Sequence, residues 1–143
     1  MNSFVIDASV AVKWLPLFGN EPFVSQARGY LDLRAQGEIT MVVPDLFWAE
    51  VSSVLCKAAR RGTCDPDEAS LALSILQEQE LPTVPSMNLV NPALSIALKH
   101  GRSLYDCLYI ALALHSNAQL VTADEKLANA LAGHFPVKWL GAI

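Results

Sequence analysis

Four acids, Asp7, Glu50, Asp106 and Asp124, stand where carboxylates can do chemistry rather than merely solvate a surface. Asp7 ends the run Phe4-Val5-Ile6 and Asp124 follows Gln119-Leu120-Val121-Thr122, two runs that read as strands apolar on both faces. Asp106 lies near the start of Ser103-Leu104-Tyr105-Asp106-Cys107-Leu108-Tyr109-Ile110, where apolar residues surround it at 100° per residue. Glu50 sits at the edge of the apolar stripe of the helix that follows Thr40-Met41-Val42-Val43. Hard oxygen donors with no histidine or cysteine among them suit Mg²⁺ or Mn²⁺. Acids gathered at one place would repel one another unless a cation sat between them.

Each acid also has a plainer role. Asp7 and Asp124 precede helices and fit N-caps. Ser103-x-x-Asp106 resembles a capping box with Asp in place of the usual Glu or Gln, and the helix dipole favours an acid there. Glu50 shares a helix line with Lys57 and Arg61 and fits an exposed Glu in a loose ion pair. Capping leaves the repetition unexplained, because Asp7 and Asp124 both follow apolar strands at the same edge of a parallel sheet.

The elements that would position these acids alternate along the chain. Strands are expected at residues 4–6, 40–43, 83–87, 119–122 and 137–140, the third an edge strand because of its proline. Helices are expected at 8–15, 23–36, 46–61, 66–79, 91–100, 103–116 and 124–131, with Asp45 as a cap and Gly37, Gly62 and Gly101 as stops. The alternation predicts one domain over residues 1–143, a three-layer α/β/α fold around a central parallel sheet of four to five strands.

Composition narrows the classes. Hydrophobic residues are 52% of the chain and charged ones 17%, with mean hydropathy +0.32. No apolar run approaches the roughly 18 residues of a membrane span, and no basic stretch followed by a long apolar one suggests a signal peptide. Cys56, Cys64 and Cys107 lack paired short spacing, which predicts reduced thiols in a cytoplasmic protein. His100, His115 and His134 form no metal-ligand pattern. A net charge of −4 has the wrong sign for gripping nucleic acid by overall charge, so any such contact must be local.

Four segments then occur in order: Val5-Ile6-Asp7-Ala8-Ser9, Pro44-Asp45-Leu46-Phe47-Trp48-Ala49-Glu50-Val51, Ser103-Leu104-Tyr105-Asp106-Cys107-Leu108-Tyr109-Ile110-Ala111, and Leu120-Val121-Thr122-Ala123-Asp124-Glu125-Lys126-Leu127. Together they resemble the PIN-domain ribonucleases, in particular the VapC toxins of type II toxin–antitoxin pairs, over nearly the whole chain. The resemblance implies an endoribonuclease dependent on Mg²⁺ or Mn²⁺, with Asp7, Glu50, Asp106 and Asp124 as catalytic, metal-binding acids. Ser9 and Thr122 match the hydroxyl positions that flank such a site, and Glu125 competes with Asp124 for the fourth ligand position. It also implies an RNA substrate, a homodimer, and a VapB-like antitoxin whose C-terminal segment covers the active-site groove.

Lys13, Lys57, Arg60, Arg61, Arg102 and Lys126 would supply phosphate contacts or serve as ordinary surface charges. Trp14, Leu15, Phe18 and Trp48 would line an apolar groove for a partner peptide or pack in the core. Two other readings compete. A catalytically inactive PIN-like binding module would hold metal without cleaving RNA. A phosphotransfer α/β domain would also place an Asp after the first strand, but one kind expects a second Asp where this chain has Ser9, and another expects an acidic pair that Met1-Asn2-Ser3 lacks.

Overall fold

Short runs of β-branched and apolar residues form the strands of a computed structural model that describes residues 1–143. They are β1 (Asn2–Ile6), β2 (Ile39–Pro44), β3 (Thr83–Val84), β4 (Gln119–Thr122) and β5 (Val137–Trp139). All neighbours pair in parallel, in the spatial order β3-β2-β1-β4-β5. Val5 and Ile6 point to opposite faces of β1 and both are fully buried, so both faces are covered. The chain winds outward from β1 to β3 on one side and from β4 to β5 on the other. The winding therefore reverses between β1 and β4, where open α/β sheets form a crevice at the strands' carboxyl ends.

Seven α-helices surround the sheet: α1 (Ala8–Ala11), α2 (Val24–Ala35), α3 (Leu46–Arg60), α4 (Pro66–Gln77), α5 (Val90–His100), α6 (Leu104–His115) and α7 (Glu125–Leu131). The best-marked start is that of α4. There the Asp65 carboxylate accepts from the Glu68 N–H at 2.8 Å, and the Glu68 carboxylate accepts from the Asp65 N–H at 3.1 Å. Gly101 closes α5 in the left-handed region (φ 63°), which turns the chain directly into α6. No helix is long and apolar enough to cross a membrane. The three thiols are free, Cys64 and Cys107 buried and Cys56 exposed.

The expected helix over 8–15 is cut short. α1 gives way to a 3₁₀ turn at Val12–Trp14, and Leu15 is extended (φ −85°, ψ 137°) because Pro16 disfavours a helical residue before it. The expected strand over 83–87 keeps only Thr83 and Val84, and a 3₁₀ turn at Ser86–Asn88 follows Pro85. Its edge position is as expected. The stretch around Asp106 is not buried all round. In α6 the residues from Cys107 to Ala113 are buried, whereas Leu104, Tyr105 and Leu114 are exposed.

Candidate active site

The Asp7 backbone N–H extends the ladder between β1 and β4 by one bond, donating to the Val121 carbonyl at 3.1 Å. That registers Asp7 beside Thr122, whose Oγ1 donates to Asp7 Oδ2 at 2.7 Å. Ser9 Oγ donates to the same oxygen at 2.8 Å. The two hydroxyls are themselves tied to the loop after β4, since Ser9 Oγ accepts from the Ala123 N–H and Thr122 Oγ1 from the Asp124 N–H, both at 3.1 Å. Asp7 makes no side-chain cap bond to α1, so the N-cap role that its position permits is not the one it fills. Burial pushes the Asp7 carboxyl above the ordinary carboxylate range. The Thr122 and Ser9 hydrogen bonds work against that rise, and the charge of Asp106 adds to it.

Glu50 enters from α3 with Oε1 held by the Tyr109 hydroxyl at 2.6 Å. Burial raises its pKa, the Tyr109 bond lowers it, and the charges of Asp7 and Asp106 raise it further. Tyr109 is buried and its own pKa is pushed far up, by burial first and then by Asp7 and Glu50, so it stays a protonated donor.

Asp106 is the least constrained of the four. Its backbone N–H donates to Ser103 Oγ at 3.1 Å, so Ser103 caps α6, but its carboxylate accepts no hydrogen bond from the protein. A reciprocal capping box is therefore absent. Asp124 does cap, with Oδ1 accepting from the Leu127 N–H at 3.1 Å at the start of α7. Its second carboxylate oxygen is not used there.

All four acids open onto one hollow of about 330 Å³, shared with Ala8, Ser9, Ser53, Val54 and Lys57. Glu125, the alternative to Asp124, is not among its lining residues. The only ion pair of the molecule is Lys13–Glu21, so no lysine or arginine is paired with any of the four, although Lys57 lines the same hollow. As the side chains stand, no three acids are placed to chelate one ion. A larger hollow of about 650 Å³, lined by Met1, Arg34, Ile39 and Gln79 among others, holds Asp32 as its only acid.

Several expectations need correction. Lys13 is buried, with Nζ on Glu21 Oε1 at 3.0 Å, and is not available to a phosphate. Of the two roles open to Trp14 and Leu15 they take the core one, the Trp14 indole N–H donating to the Ala27 carbonyl at 2.8 Å. Trp48 is half-buried against Phe47 and donates to Thr83 Oγ1 at 3.1 Å. Of that aromatic set only Phe18 lines a hollow, one that borders the site. Asp45 precedes α3 without capping it, because its carboxylate accepts the Ser86 hydroxyl instead. Two site residues were missed, Tyr109 and Ser53. Tyr109 carried a signal, since a tyrosine inside a buried helix needs a partner for its hydroxyl and lies one turn from Asp106.

The PIN domain family pattern matches residues 4–131. Ribonuclease VapC3 of Pyrobaculum aerophilum is 41% identical over 86 residues, which span 59% of this chain and 66% of that protein, just short of two thirds of its length. Among solved structures, that of PAE2754 from Pyrobaculum aerophilum superimposes with a TM-score of 0.69 at 22% identity, over 99% of this chain and 91% of the other. A toxin-antitoxin complex from Klebsiella pneumoniae gives a TM-score of 0.60 at 17% identity, over 95% of this chain and 96% of the matched one. At such identities the superpositions show a common fold.

Proposed function

The chain belongs to the PIN-domain family, and we propose that it is a Mg²⁺- or Mn²⁺-dependent endoribonuclease using Asp7, Glu50, Asp106 and Asp124. The observation that carries this reading is four carboxylates around one hollow with no cationic side chain paired to any of them. Their hard oxygens match the preferred ligands of these ions, and a divalent cation would offset both the burial that chiefly raises Asp7 and Glu50 and the repulsion among the acids that adds to it. Because no three acids are yet within chelating range, the freer side chains would have to turn inward on binding.

A bound ion would supply Lewis-acid activation of water and offset the charge that builds on the phosphate oxygens. The protein's own residues divide the remaining work. Ser9 and Thr122 hold Asp7 in one orientation, and Tyr109 holds Glu50. Asp124 has one oxygen on α7 and offers the other. Asp106, with no hydrogen bond to restrain its carboxylate, is free to take the proton of the attacking water.

RNA as substrate rests on the likeness to a protein named as a ribonuclease, and a VapB-like antitoxin partner on the shared fold with a toxin-antitoxin complex. A homodimer and a cytoplasmic setting complete the reading. Exposed Leu94 and Leu98 on α5, with Tyr105 and Leu114 on the adjoining α6, give apolar surface for a second subunit. The test is cleavage of labelled single-stranded RNA by chelator-stripped protein, with and without Mg²⁺ or Mn²⁺. Cleavage only with added ion is expected. A metal-dependent melting shift with no cleavage of any RNA would leave the inactive binding module, and neither response would end the metal reading.

A further inference from the structure

Resting on the ribonuclease reading, we propose that the groove running from the acids along α3 is a subsite for the RNA strand beyond the cleaved bond, with Lys57 and Arg61 as its phosphate contacts. The hollow of the four acids and a second one of about 520 Å³ share Val54 and Lys57 in their walls, so the two adjoin along α3. Leu17, Phe18 and Arg61 line the second hollow.

Along α3 and Arg61, the helical residue that follows it, positions 50, 57 and 61 fall within about 40° of one line. With a rise of about 1.5 Å per residue, Lys57 lies about 10 Å beyond Glu50 and Arg61 about 6 Å further. That second interval is the order of one step between phosphates on an extended strand. Both side chains are exposed and neither is in an ion pair. Glu21, the only acid of the second hollow, is already paired with the buried Lys13. The second hollow, beyond the acids, is therefore locally positive on a protein whose net charge is −4. A polyanion fits that charge, and half-buried Phe18 offers a ring to an unstacked base. Arg60 and Lys126 line neither hollow, which separates the two proposed contacts from the other surface cations.

The experiment compares Lys57→Gln, Arg61→Gln and the double variant with the parent protein, using Mn²⁺ and a labelled single-stranded RNA over a range of salt. The double variant should raise KM about tenfold while kcat stays within about twofold, and the slope of log KM against log salt should fall by about 1.4, or 0.7 per lost contact. Lys57→Arg should retain the parent slope, and Lys99→Gln on α5 should match the parent throughout. Equal far-UV circular dichroism and melting would show that the exposed substitutions leave the fold intact. Parental KM and slope in the double variant, with the parent cleaving normally, would overturn the subsite and leave the nuclease reading standing. The same holds if the double variant keeps its RNA kinetics but loses binding to an antitoxin peptide. A parent that cleaves no RNA would remove the nuclease reading and the subsite together.

Discussion

The Tyr109 hydroxyl donates to Glu50 Oε1 at 2.6 Å across 59 residues of sequence, and so ties helix α6 to helix α3 at the wall of the acid cluster. A tyrosine whose proton is held this firmly presents that proton to Glu50 as a donor. The bond therefore selects the ionised form of Glu50 and opposes the rise that burial and the other acids impose on it.

Tyr109→Phe removes that donor and leaves the Glu50 carboxylate short of a partner, at a cost of about 1–3 kcal/mol. Melting of the metal-free protein should fall accordingly. Since Glu50 would also lose its orientation, a Mn²⁺ titration followed by melting should show weaker binding than in the parent. Unchanged melting together with an unchanged titration would mean that the bond positions nothing.

The pH dependence of the metal-free protein follows from the same carboxylates. Asp7 and Glu50 both have raised pKa values in the folded state. Above the ordinary carboxylate range of about 4 the folded state then holds more protons than the unfolded one, so stability falls as pH rises through their folded pKa values. Asp45, lowered by its Ser86 hydrogen bond, acts oppositely and in a lower window, because its contribution is lost as pH drops. Denaturant titrations from mildly acid to neutral pH should show declining stability, and Asp7→Asn with Glu50→Gln should flatten the decline. Saturating Mn²⁺ should flatten it too. A rising curve in that window would contradict the raised values.

Much of this arrangement was legible in the sequence because it depends on local pattern. Asp7 and Asp124 were placed by the strands before them, and the parallel sheet followed from alternation of strands with helices, whereas the strand order β3-β2-β1-β4-β5 did not. What escaped depends on side chains meeting across the fold. The Tyr109–Glu50 bond joins two helices whose contact no spacing rule encodes. Lys13 reads as a surface cation until the chain folds back over it and brings Glu21 to its ammonium. Asp45 sits where a cap belongs, but Ser86, 41 residues on, claims its carboxylate. In each case tertiary packing overrode a correct local preference.

Lys13 also gives a prediction. With its ammonium buried and spent on Glu21, it takes no part in holding RNA. Glu21→Gln strands the charge and should cost about 1–3 kcal/mol, whereas Lys13→Met removes charge and partner requirement together and should be neutral or stabilising. RNA cleavage by Lys13→Met should match the parent. A rise in KM comparable to that of Lys57→Gln would put Lys13 back among the phosphate contacts.

Asp106→Asn tests the acid that the fold leaves freest. Its carboxylate accepts no hydrogen bond, so the substitution breaks none, and Ser103 continues to cap α6. The loss of a negative charge from the first turn of the helix costs about 0.3–1 kcal/mol through the dipole. Against this, the repulsion that Asp106 exerts on Asp7 and Glu50 disappears. The metal-free variant should therefore melt at or slightly above the parent temperature. Stabilisation by Mn²⁺ tracks affinity for the folded state, so the metal-induced shift should shrink if Asp106 is a ligand. RNA cleavage should fall at least about 100-fold, the scale on which a positioned acid–base group contributes. Melting curves with and without Mn²⁺, run beside cleavage of single-stranded RNA, separate the cases. A variant that cleaves like the parent and keeps the full metal-induced shift would remove Asp106 from the site and leave its charge as a first-turn dipole partner.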